Sequence, residues 1–82
     1  MSSPNGTKIK ILTCLSDGQW WPTSDVAFVC GLGLTNASEL LRRYRSQSLV
    51  VRERNPKIPR GYFYHITLVG LERLDFLTKH II

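Results

Sequence analysis

Apolar positions recur at helical spacing in four stretches and alternate along two others. Ile11, Leu12 and Leu15 share one helical face, flanked by Ile9 and Cys14, and predict a first helix over 7–15 capped by Thr7. Ser16-Asp17-Gly18 ends it, with Gly18 suited to a left-handed conformation. Gln19-Trp20-Trp21 reads as short and extended, because Pro22 forces its predecessor out of helical geometry. One tryptophan is expected in the core, the other under a loop or at a subunit seam.

Thr23-Ser24-Asp25 offers two caps and an acid for a second helix, Val26 to Cys30, with Val26, Val29 and Cys30 facing inward. Gly31-Leu32-Gly33-Leu34 is a tight turn with an apolar plug, and Thr35 caps a third helix over 35–47. Ala37, Leu41 and Tyr44 face inward on it, with Leu40 beside them. Residues 49–54 and 62–67 read as paired strands rich in aromatic and β-branched residues. Either Phe63 or the pair Tyr62 and Tyr64 is buried. The loop 55–61 holds Pro56 and Pro59, is too long for a two-residue turn, and is expected to stand off the body. Thr67 caps a last helix over 67–82. On it Leu68, Leu71, Leu74, Leu77 or Thr78, and Ile81 are expected to face inward, while Val69, Phe76 and Ile82 form a surplus apolar surface. Residues 1–6 are expected to be a disordered tail, and 7–82 a single domain.

Charge sharpens this outline. The 82-residue chain carries a net charge of +5. Residues 1–41 and 61–82 are close to neutral, so the excess lies in 42–60: Arg42, Arg43, Arg45, Arg52, Arg54, Lys57 and Arg60 against Glu53. Arginine predominates there, and its flat fork suits phosphate and guanine edges. Solubility alone does not require such concentration.

Other chemistries find little support. The chain shows no nucleophile elbow, no Gly-rich phosphate loop and no paired carboxylates, so an enzyme is not expected. Cys14 and Cys30 form no CxxC pair, and His65 and His80 lack partners at metal-ligand spacing. No metal and no cofactor is expected. The cysteines read as small buried thiols, with a Cys14–Cys30 disulfide as the alternative. With no apolar span long enough for a bilayer and no apolar leader, a cytoplasmic protein without a membrane partner is expected.

The order helix, short strand, helix, tight turn, helix, strand, basic loop, strand, helix contains a helix-turn-helix. On Thr23-Ser24-Asp25-Val26-Ala27, Gly31 to Ser38, Leu40 to Tyr44, Ser48-Leu49-Val50, the hairpin and Ile66-Thr67-Leu68, the chain resembles the winged helix-turn-helix family of small transcription regulators. The resemblance implies an α+β fold: a three-helix body, a two- to three-stranded antiparallel wing hairpin and a C-terminal helix. It implies that the third helix is a recognition helix placing Thr35, Asn36, Ser38, Glu39, Arg42 and Arg43 at double-stranded DNA. Asn36 suits adenine and Glu39 cytosine, with a surface pair to Arg43 as the plainer role for Glu39. Arg52, Arg54, Lys57 and Arg60 would serve the wing, on the minor groove or on phosphates. Winged helices that bind left-handed nucleic acid carry a Tyr four residues after a helix Asn; Leu40 stands there, against that subtype.

Two functions follow as expectations. The first is a dimeric, sequence-specific regulator joined through Val69, Phe76 and Ile82 of the last helix. The alternative is a winged-helix module that meets another protein in a larger complex and has no DNA specificity of its own. No small-molecule ligand is identifiable from the sequence.

Overall fold

The computed structural model describes residues 6–59 and 61–79. Its elements are α1 (Gly6–Leu15), β1 (Trp21–Pro22), α2 (Thr23–Cys30), α3 (Leu34–Ser46), β2 (Val50–Arg54), β3 (Tyr62–Ile66) and α4 (Leu68–Lys79). This is the α+β architecture expected. The three strands form one antiparallel sheet in the order β1-β3-β2. The central strand β3 pairs Tyr64 with Trp21 on one side and with Arg52 on the other.

The core is built where the helical spacing placed it on α1 and α3. Ile11, Leu12 and Leu15 pack with Leu41, Tyr44, Leu49, Val50, Tyr64 and Ile66. Alternation along β3 sends Tyr64 and Ile66 inward and leaves Phe63 half-buried on the other face. The tyrosine side of that strand is therefore the core side. Trp21 packs against the core and donates its indole N–H to Asp17, while Trp20 lies tilted over His65. Gly18 takes the left-handed conformation at φ 77°.

Several local expectations are corrected. The first helix begins at Gly6, so Thr7 lies inside it; residues 1–5 of the expected tail lie outside the described residues. α2 begins at Thr23 after an extended Pro22, and no side chain caps it. Thr23 instead donates its hydroxyl to the Tyr62 carbonyl across the sheet. The inward face of α2 is Val26, Ala27 and Cys30, and Val29 is exposed. α3 begins at Leu34 with Gly33 as its cap, so Thr35 does not cap it and the turn's plug is Leu32. The helix ends at Ser46, after which Ser48 takes a left-handed φ of 63° and turns the chain into β2.

α4 departs most from its pattern. Thr67 does cap it, accepting from the Gly70 N–H at 2.9 Å and donating to the Ser48 carbonyl at 2.6 Å. Its inner face, however, is Gly70, Leu74 and Leu77, and Leu68 is 78% exposed. Gly70 decides this, because a Cβ there would collide with the Leu49 carbonyl oxygen and the Ile66 side chain. The close approach turns Gly70 inward and Leu68, Val69 and Leu71 outward. Ile81 and Ile82 lie outside the described residues.

Candidate nucleic-acid interface

α3 offers one strongly polar face. Ala37, Leu41 and Tyr44 are buried, so at 3.6 residues per turn Thr35, Glu39, Arg42 and Ser46 project from the opposite side. All four are exposed. Glu39 makes no ion pair with Arg43; among the described residues the only ion pair is Lys79 with Asp75.

The flanks of that face differ. On one flank Ser38 and Arg42 meet Arg52 and the wing across a cleft of about 400 Å³, walled by Leu34, Ile58, Pro59 and Tyr62. The guanidinium carbon of the half-buried Arg52 lies 3.9 Å from the centre of the Tyr62 ring, a cation–π contact. Cross-strand register explains its direction: Arg52 opposes Tyr64 and shares its face of the sheet. Arg54 lies further along the same strand, opposite Tyr62, and is exposed.

The wing does not stand off as an extended loop. The Asn55 side chain is buried, and its Oδ1 accepts from the Lys57 N–H at 3.0 Å. The Asn55 N–H donates to the Gly61 carbonyl at 2.9 Å, and the Gly61 N–H to the Ile58 carbonyl at 3.0 Å. Gly61 sits so close to Ile58 that a Cβ would not fit without movement. These bonds fold the loop into a turn and lay Ile58 toward α3, leaving Lys57 exposed at the tip. Arg60 lies outside the described residues.

On the other flank Asn36 and Arg43 line a second cleft, of about 490 Å³, with Thr7, Lys8 and Gln47. Lys8 donates to the Gln47 Oε1 at 3.2 Å and lies 5.3 Å over the Tyr44 ring. Burial and the charges of Arg73 and Arg43 push the Lys8 ammonium below the ordinary lysine range. The set read from the sequence as one surface is thus divided: Ser38, Arg42 and Arg52 face the wing cleft, Asn36 and Arg43 the α1 side. Sequence reasoning missed Lys8. The available signal was its spacing from Leu12 and Leu15, which sets a lysine on the apolar side of α1.

Val69 and Phe76, read as a subunit seam, are both exposed on α4, at 47% and 55%. Cys14 and Cys30 are free thiols. Burial, with smaller contributions from Cys30 and Asp17, pushes Cys14 up to about 11. Among the described residues no group of three His, Cys, Asp or Glu is placed to hold a metal, and no helix is long and apolar enough to cross a membrane.

No protein-family model matches the chain, and no curated protein does. Solved structures do. The PcaV transcriptional regulator from Streptomyces coelicolor, in complex with its natural ligand, superposes with a TM-score of 0.81 at 22% identity, over 99% of this chain and 55% of that one. AbsC, a MarR family transcriptional regulator from Streptomyces coelicolor, gives 0.73 at 30% identity, over 88% and 50%. The S. aureus MepR–DNA complex gives 0.75 at 20% identity, over 89% and 60%. The chain spans about half the length of these proteins.

Proposed function

We propose that this chain, which has the winged helix-turn-helix fold seen in MarR-family regulators, binds double-stranded DNA as a transcriptional regulator. In this reading α3 enters the major groove, and the wing at 55–61 reaches the minor groove or the flanking backbone. The observation that carries it is the outer face of α3. Its exposed Thr35, Glu39 and Arg42 stand free of the core, and Arg42 shares a cleft with Arg52 and the wing. The short side chains of Thr35, Asn36 and Ser38 let the helix approach base edges closely. Arg42 suits a guanine or a phosphate, while Arg54 and Lys57 suit the backbone. The similarity to MepR, solved with DNA, supports the reading.

The regulator acts in the cytoplasm as a homodimer, with 7–82 as its DNA-binding domain. The exposed apolar residues of α4, Leu68 and Val69 on one side and Leu71 on the flank, support the dimer. Two-fold symmetry then sets α3 of each subunit in half-sites about 34–36 Å apart. Selection of bound duplexes from a random pool tests this. An inverted repeat with half-sites one helical turn apart is expected, and a pool with no enriched sequence would contradict specific binding.

The same α4 surface favours a second reading, in which it meets a different protein and the domain has no DNA specificity. A protein that stays monomeric in sedimentation and enriches no duplex would favour that reading.

A further inference from the structure

Two basic side chains from two helices meet in the cleft on the side of α3 away from the wing: Lys8 of α1 and Arg43 of α3. Among the described residues no carboxylate lies within ion-pair distance of either of them. Lys8 is half-buried, and its one hydrogen bond goes to the neutral Gln47 amide, although an ammonium carries three donors. Arg43 and Lys8 share the α1-side cleft, which opens beside Asn36 at the start of α3. Burial first, and then nearby arginine charge, lowers the proton affinity of Lys8, whose ammonium shares the cleft with the Arg43 guanidinium. An oxyanion placed between them would relieve their repulsion. It would also accept from the unused ammonium protons and from the Arg43 fork.

We infer that Lys8 and Arg43 form an anion site that takes a phosphate group, separate from the cleft between α3 and the wing. A helix lying in the major groove has a sugar-phosphate strand on each side. The wing meets one strand, and this site faces the other. The assignment to backbone phosphate rests on the DNA reading above, while a free phosphate has the same chemistry.

The test uses wild-type protein, Lys8→Gln and Arg43→Gln. Mixed-sequence duplex is titrated at several salt concentrations, and inorganic phosphate is titrated separately with NMR detection of the Gln47 side-chain amide. Arg43 is exposed, so its substitution should leave the fold intact even where Lys8→Gln does not. Each substitution should flatten the slope of log affinity against log salt by about 0.9, equally on all sequences. The Gln47 signals should move with phosphate in the wild type and stay still in the variants. An unchanged slope with loss of the phosphate response would keep the anion site and make free phosphate its ligand. Unchanged slopes together with no phosphate response in the wild type would overturn the proposal. A wild type that ignores DNA would defeat the DNA reading, and the phosphate titration would still decide this one.

Discussion

Helices α3 and α4 have similar lengths and flank the same core, yet they meet solvent with opposite chemistry. α3 turns Thr35, Glu39, Arg42 and Ser46 outward, and α4 turns Leu68, Val69 and Leu71 outward. A charged, hydrophilic helix face stays hydrated until it meets a charged surface such as a phosphate backbone, whereas exposed leucine and valine gain most by meeting another apolar face. In the proposed function nucleic acid meets α3 and protein α4. The difference predicts that the two functions can be broken separately.

Removing the inner face of α3 gives the largest effect and spares neither function. Leu41→Ala deletes a fully buried side chain and should cost about 2–5 kcal/mol in denaturant unfolding. Gly70→Ala attacks α4 where it seats on Leu49 and Ile66, and should cost about 1–3 kcal/mol by the same measurement.

The surface substitutions then separate the helices. Arg42→Ala should weaken binding to a selected duplex by about 1–3 kcal/mol and relax specificity, with the oligomeric state in sedimentation unchanged. Leu68→Ser with Leu71→Ser should do the reverse, shifting the protein toward monomer while single half-site binding persists. The smallest effect is on pH. Because Cys14 is raised to about 11, its contribution to stability is complete below the unfolded thiol range of about 8.5 and is lost as pH rises through the folded value. Thermal melts of wild type and Cys14→Ser should therefore converge only at strongly alkaline pH, and iodoacetamide should label the native thiol slowly at neutral pH.

The same two helices show what could be read in the chain. On α3 apolar and charged positions are segregated, so Ala37, Leu41 and Tyr44 could be placed inside from spacing alone. On α4 apolar residues occur on several sides, so spacing leaves the inner face undetermined. That face is chosen by Gly70, whose missing side chain reads as nothing in a hydrophobic pattern but permits contact with the Leu49 backbone. The wing was legible as a loop with the right bounds. Its inward fold was not, because it depends on Asn55 bonding to backbone two and six residues away. Of the candidate site, the basic residues of α3 and β2 were legible as charge. Their division between two flanks follows from where the wing and α1 pack against α3, and the arrival of Lys8 beside Arg43 from packing between residues far apart in the chain.

The most direct test of the DNA assignment is a fluorescence-anisotropy titration of labelled mixed-sequence duplex at two salt concentrations. Several neutralised phosphates predict affinity that falls steeply as salt rises. Absence of binding at low salt with about 100 μM protein, the weak end of non-specific affinities, would contradict the account.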